Sequence, residues 1–254
     1  MWKPVKYPNR PIRLPFEVAG QFIWPRRSLV SNIPSTGVLT TEDFTSLTFI
    51  TGAICPKCGV PQAYDLGAGE LCAACHAAPP SWNRARAALV YDDVSRRPIL
   101  ALKRGGRRDG LGLLATWMSV AGADLIETTD MIVPVPLHYR RLVSRGYNQA
   151  GWIATALAGQ SGRPVHHGVL KRVRSTPSQA GRSARERRRN VRGAFAVRPS
   201  YRKKIDGQRI LLVDDVLTTG ATAASAAKAL SKAGAADVSV LVLARVVRDE
   251  DVTI

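Results

Sequence analysis

Ile210–Thr222 reads I-L-L-V-D-D-V-L-T-T-G-A-T, and an alanine-rich run follows it to about Ala233. Four apolar residues lead into two carboxylates, Asp214 and Asp215. Val216 and Leu217 then lead to a small, hydroxyl-rich turn, Thr218-Thr219-Gly220-Ala221-Thr222. The pattern predicts a buried parallel strand, a turn and a helix N-terminus. Such a turn suits a phosphate: free N–H groups at a helix start point outward, and the helix dipole adds roughly half a positive charge there. Threonine hydroxyls add donors, and Gly220 lets backbone come close. The acids just upstream are placed to accept hydrogen bonds from two sugar hydroxyls. Phosphate on one side and a vicinal diol on the other describe a ribose 5-phosphate. The plainer reading, a strand and a capped helix with no ligand, leaves two adjacent like charges unexplained.

Outward from this stretch, strands and helices alternate. Arg86–Tyr91 reads as a short strand and Val94–Lys103 as a helix ended by Gly105-Gly106. Leu111–Ala121 is a second helix, and Met131–Val135 is a buried strand running into P-V-P. Asn148–Gly159 is helical, and Val169–Val173 is a short strand. An arginine-rich stretch follows, with a helix at Ala184–Val191, and Ala194–Val197, Arg209–Val213 and Val238–Ala244 complete the strands. The alternation predicts an α/β fold with a parallel sheet and a ligand beyond the carboxyl ends of its strands.

The chain has 254 residues, 45% of them hydrophobic, with a formal net charge of +18. That suffices for one α/β domain plus a small module, and the charge favours anionic partners, from phosphorylated metabolites to nucleic acid. No run of 18 apolar residues and no signal-peptide pattern occurs, so membrane insertion is not expected and a cytoplasmic location is. Residues 1–50 hold six prolines and little periodicity.

The four cysteines form two C-x-x-C pairs, Cys55/Cys58 and Cys72/Cys75, with thirteen residues between the pairs. Two such knuckles around one tetrahedral ion make a zinc ribbon, with Gly59 just after the first turn. Disulfides suit an oxidising compartment, a redox motif uses one pair, and an iron–sulfur cluster is the remaining alternative. Structural zinc is the reading preferred here, with His76 a bystander. The ribbon spans 51–82 and the larger domain 85–254, after an irregular segment at 1–50.

The D-D and T-T-G-A-T segment resembles the signature of type I phosphoribosyltransferases, which bind 5-phosphoribosyl 1-pyrophosphate (PRPP). Further blocks extend the resemblance: A-L-V-Y-D-D at 88–93, L-K-R-G-G-R at 102–107, V-P-V-P-L-H at 133–138, R-R-L-V-S-R-G-Y-N-Q-A at 140–150, S-T-P-S-Q at 175–179 and N-V-R-G-A-F at 190–195. With the ribbon, they resemble the ComF/GntX family of phosphoribosyltransferase-like proteins, linked to competence for DNA uptake. The family often carries an earlier pair of knuckles. Here Ser28, Ser31, Thr40 and Asp43 stand where those cysteines would align, so one zinc ion is expected and this half-module must be held by other contacts or be partly mobile.

The resemblance implies a type I phosphoribosyltransferase fold with a small N-terminal zinc ribbon. Asp214 and Asp215 would hold the ribose hydroxyls, and Val216 to Thr222 would carry the 5′-phosphate. Val135, Pro136 and Leu137 would form the pyrophosphate loop through backbone N–H groups. Arg145, Gly146, Tyr147, Asn148 and Gln149 follow it, with Arg140 and Arg141 in either a solvated basic loop or the anion site. The stretch 171–192 holds Lys171, eight arginines and one acid. It matches the loop that closes over PRPP, with Arg172, Arg174, Thr176, Gln179, Arg187 and Asn190 as its candidate residues. The implied chemistry is Mg²⁺-dependent loss of pyrophosphate from C1 of PRPP, with Arg172, Arg174 and Arg187 neutralising the leaving group. All four cysteines are committed to metal, which leaves none for glutamine-dependent amidation. The other reading is a nucleic-acid-associated competence factor, with Trp82, Trp117 and Trp152 as candidate stacking residues for single-stranded DNA, or a PRPP-sensing regulator.

Overall fold

A computed structural model describes residues 26–62, 69–174 and 193–248. In chain order it contains helix α1 (Thr41–Thr45), helix α2 (Ala73–Ala77), strand β1 (Ala85–Val90), helices α3 (Arg96–Gly105), α4 (Leu111–Ala121) and α5 (Ala123–Glu127), and strand β2 (Met131–Pro134). Helices α6 (Tyr139–Arg145) and α7 (Gln149–Ser161) follow, then strands β3 (Leu170–Arg172) and β4 (Phe195–Val197) and helix α8 (Arg202–Ile205). Strand β5 (Arg209–Leu217), helix α9 (Ala221–Lys232) and strand β6 (Asp237–Arg245) complete it.

The main sheet has the order β1-β6-β5-β2, and every pairing in it is parallel. In a strand, side chains alternate between faces, so a strand covered on both sides must be apolar at every position. β5 meets that demand. Ile210 and Leu212 enter one layer, with Val240 and Val242 of β6 and Ala226, Ala227 and Leu230 of α9. Leu211 and Val213 enter the other, with Leu102 of α3, Leu114 and Met118 of α4, and Ile153 and Leu157 of α7. Each of these side chains is fully or almost fully buried. Both sheet edges gain a bridge beyond the named strands: Phe49 pairs with Leu89 outside β1, and Val165 with Ile132 outside β2. The edges are thereby withdrawn from pairing with other chains.

The predicted strands and helices are found with small shifts at their ends, apart from the helix expected at Ala184–Val191, which lies outside the described residues. Two differences matter. β5 does not stop at Val213 but continues in register with β6 through Asp214, Val216 and Leu217. The basic stretch after P-V-P is a helix, α6, instead of a loop, and Gly146 in the left-handed conformation (φ 77°) turns the chain from it into α7. Trp82 and Trp117 are buried in the protein, which removes them as exposed stacking surfaces. Trp152 stacks on Tyr147 at 4.0 Å between ring centroids, with the Arg108 guanidinium over its other face. Among the described residues, no helix is long and apolar enough to cross a membrane.

The four positions expected to lack zinc ligands converge all the same. The buried Asp43 carboxylate accepts hydrogen bonds from the Ser28 hydroxyl and, at 2.8 Å, from the Ser31 hydroxyl. Thr40 caps α1 by accepting from the Asp43 N–H at 3.1 Å. One carboxylate thus gathers the turn at 28–31 and the start of α1. These hydroxyl bonds hold the Asp43 carboxyl below the usual carboxylate range even though burial acts the other way. Asp43→Ala would leave the fully buried Ser28 hydroxyl without its acceptor, at a cost of roughly 2–3 kcal/mol. Urea unfolding should show that loss, and Asp43→Asn, which keeps one acceptor oxygen, should lose less.

Candidate anion and metal sites

The end of β5 sorts its two acids by the pleat. Asp215 follows Leu211 and Val213 and faces the helices of that layer. Its carboxylate accepts from the Gln149 amide at 2.9 Å and pairs with the Lys103 ammonium at 3.1 Å. Asp215 is buried, so these two contacts supply the compensation a buried carboxylate needs. Gln149 in turn accepts from Arg145 at 3.2 Å, and the Tyr147 hydroxyl donates to the Leu102 carbonyl at 2.7 Å. The α6–α7 junction and α3 are therefore tied together at Asp215.

Asp214 points the other way, into a pocket lined by Val216, Leu217, Thr218, Thr219, Gly220, Ala221, Thr222 and Ala223. Burial and the neighbouring charge of Asp215 push its carboxyl up to about 7, against opposing pulls from the Asp215 N–H, Lys103 and Arg172. The pocket wraps the start of α9. Gly220 is its N-cap in the left-handed conformation (φ 71°), and the Ala224 N–H is the first to bond back, to the Gly220 carbonyl at 2.8 Å. The N–H groups of Ala221, Thr222 and Ala223 belong to the unpaired first turn of the helix. The Thr219 hydroxyl is buried with no protein partner. Free amides, an unpaired hydroxyl and a helix dipole at one cavity make an oxyanion seat.

The other expected residues fall into three groups. Arg172 lies close enough to Asp214 and Arg141 for both charges to act on it, and its guanidinium lies 5.3 Å from the centre of the Phe195 ring. It stands on β3, which pairs with β4 across the arginine-rich segment. Arg174 is exposed at the end of the described part of that segment. Asn148 donates to the Val135 carbonyl at 3.0 Å, holding the P-V-P loop to the start of α7. One expectation about that loop needs correction. The Val135 N–H is spent on the Val213 carbonyl at 2.9 Å, and Pro136 has none to offer, so any backbone donors there begin at Leu137. Thr176, Gln179, Arg187 and Asn190 lie outside the described residues, and nothing described bears on the side chain of Arg140. Lys103 is the site residue that sequence reading passed over. It was visible only as part of the L-K-R-G-G-R block, and nothing in that block says which acid it meets.

Beside the Thr218–Gly220 turn, the four cysteine sulfurs lie within 4.8 Å of one another, and all four residues are buried. The Sγ atoms of Cys58 and Cys72 are 3.7 Å apart, the spacing of two thiolates on one tetrahedral ion with metal–sulfur bonds of about 2.3 Å. The Cys72 N–H points at Cys55 Sγ at 3.4 Å, the backbone-to-sulfur bond of a metal knuckle. A hydrogen bond from Cys58 draws Cys55 down to about 4, while the same bond lifts Cys58 and burial pushes Cys75 up to about 12. Sulfurs packed this closely do not all ionise without a cation among them, so the donor set fits a bound metal. His76 is exposed and lies 3.9 Å from Glu70, outside the cluster.

Two substitutions test this electrostatic arrangement. Lys103→Met should cost about 2–4 kcal/mol at neutral pH, because Asp215 stays buried and loses its cation. Unchanged stability by denaturant unfolding would contradict the pairing. Asp214 retains a proton in the folded chain that the unfolded chain has released above about pH 4. Its contribution to stability therefore falls as pH rises from about 4 to about 7. Asp214→Asn should flatten that part of the stability–pH curve.

The comparisons with known proteins agree with this architecture. Residues 131–252 match the phosphoribosyl transferase domain model. The chain is 33% identical over 198 residues to the DNA utilization protein YhgH of Salmonella typhimurium, covering 76% of this chain and 84% of that protein. It is 38% identical over 120 residues to competence protein F of Haemophilus influenzae, covering 47% of this chain and 52% of that one. To competence protein ComFC of Bacillus subtilis the identity is 28% over 208 residues, covering 77% and 79%. A parallel sheet with an acid pair and an anion seat at its carboxyl end, a four-cysteine ribbon ahead of it, and these relatives place the chain in the ComF/GntX family of phosphoribosyltransferase-like proteins.

Proposed function

We propose that the chain binds PRPP at the end of β5 and that this site supports transfer of the phosphoribosyl group. The observation that carries the reading is the single pocket joining Asp214 to the Thr218–Thr222 turn and the start of α9. It offers an acceptor for sugar hydroxyls beside donors for a phosphate, in the order a ribose 5-phosphate requires. Arg172 feels the charges of both Asp214 and Arg141, and we put these two arginines where the pyrophosphate of the same ligand would lie. Arginine suits that anion because its planar fork pairs with phosphate oxygens two at a time.

Within that site the residues have separable tasks. The turn at Thr218–Thr222 anchors the 5′-phosphate, and Asp214 orients the ribose. Asp215 keeps Lys103 and Gln149 in place and thereby sets the wall that α3 and α7 form. As pyrophosphate leaves C1, negative charge grows on its oxygens and positive charge on the ribose ring. Arg172 and Arg141 stabilise the first and Asp214 the second. Magnesium, carried in with the pyrophosphate, would supply further neutralisation of the leaving group. The four-cysteine cluster we assign to one structural zinc ion, because four protein thiolates leave no open position for a substrate.

The names of the relatives point to DNA utilisation and competence, and we place this chain in the same process. Burial of Trp82 and Trp117 takes away two of the aromatic surfaces that direct stacking on single-stranded DNA would use. Contact with DNA would draw on the net charge of +18 and would weaken steeply with salt.

Calorimetric titration of PRPP with Mg²⁺ should give saturable binding to the native chain. Asp214→Ala should weaken it at least tenfold, which corresponds to about 1.4 kcal/mol. Native-like affinity in that variant would remove the site from where we put it. Pyrophosphate release in the presence of an acceptor would establish turnover.

A further inference from the structure

One side chain, Trp82, touches both the ribbon and the turn that lines the anion pocket. Trp82 is buried between them. Its indole N–H donates to the Lys57 carbonyl at 2.7 Å, inside the first cysteine knuckle. The far edge of the same ring lies against Gly220, where an added Cβ would come within 2.5 Å of Trp82 Cη2. The fit explains why position 220 carries no side chain, over and above its left-handed backbone.

The rest of the knuckle is held just as closely. Its three successive carbonyls, Pro56, Lys57 and Cys58, accept from Arg86, Trp82 and Arg245 respectively. Arg86 lies on β1, and Arg245 ends β6 opposite Leu217, the residue before the anion turn. Gly59, just past the knuckle, packs against the Ala85 carbonyl, which an added Cβ would approach to 2.7 Å. A knuckle whose carbonyls are all engaged is a rigid platform, and its shape depends on the two cysteines being drawn to one ion.

We infer that the ribbon acts as a positioning element for the anion seat. The metal-closed knuckle fixes Trp82, and Trp82 fixes the back of the Thr218–Thr222 turn. Trp82 is thus a positioning residue that never touches the ligand. The inference rests on the reading of that turn as the phosphate seat. By linkage, whatever factor zinc contributes to ligand affinity, the ligand must return to zinc affinity.

Trp82→Phe is the informative change. It keeps an aromatic ring against Gly220 but loses the N–H that ties the ring to Lys57. Amide hydrogen exchange across residues 218–223 should quicken in the zinc-loaded variant, while the exchange of β5 and β6 and the zinc content stay native. Equal exchange in the two proteins overturns the inference, and this measurement needs no ligand. In the native chain, saturating PRPP should tighten zinc, measured by competition with a chromophoric chelator, by roughly fivefold. In Trp82→Phe the factor should fall to about one. If PRPP binds and zinc affinity is indifferent to it, the coupling is refuted. If PRPP fails to bind while exchange at 218–223 responds to Trp82→Phe, the positioning role stands and the ligand assignment is the part that falls.

Discussion

The structure hangs on the burial of β5 between two apolar layers. A strand covered on both faces gives each successive side chain to a different layer. Ile210 to Val213 satisfy both layers with aliphatic side chains, and the strand then reaches two carboxylates without leaving the sheet. Two adjacent charges in such a strand are separated by the pleat, one to each side. This one constraint explains why Asp214 opens onto the pocket at the start of α9 while Asp215 turns to Lys103 and Gln149.

That separation divides the electrostatic work. Asp215 is compensated by a cation and an amide, and it knits α3 to α7. At Asp214, burial and the neighbouring charge of Asp215 outweigh the pulls of Lys103 and Arg172 and push the carboxyl up to about 7. The contrast arises from what each acid meets: Lys103 of α3 and Gln149 of α7 on one side, and the pocket at the start of α9 on the other. A ligand bringing hydroxyl groups meets a carboxyl whose ionisation its own contacts, and any cation it carries, would favour.

The N-terminal modules show two ways of closing a small turn-rich unit that has no core of its own. In one, four sulfurs gather at a point suited to a metal ion. In the other, Ser28 and Ser31 converge on the Asp43 carboxylate, with Thr40 capping the helix beside it. Metal coordination and charge-assisted hydrogen bonds serve the same end, pinning chain segments that little apolar surface could hold together. Of the two expectations for this half-module, other contacts or partial mobility, the structure shows contacts, made by Ser28, Ser31, Thr40 and Asp43 themselves.

Periodicity and spacing were enough for the order of strands and helices, the parallel sheet, the cysteine cluster and the turn between β5 and α9. Those features are local or repeat along the chain: an apolar run, a C-x-x-C step, a glycine before a helix. The side of the sheet to which each acid turns follows from pleating, but its partner does not. Lys103 lies more than a hundred residues from Asp215, and only the fold, which brings the side chains of α3 and of the start of α7 to the end of β5, makes them meet. The helix at Tyr139–Arg145 was hidden by its arginines, which suit a solvated loop as well as a short helix. Trp82 read as one aromatic among several, and its place between ribbon and turn appeared only once both were folded. The sequence alone therefore determined which chemistry is present and roughly where, because those signals are carried by neighbours in the chain. Tertiary structure alone decided which groups meet, because a contact across the fold depends on how whole elements pack.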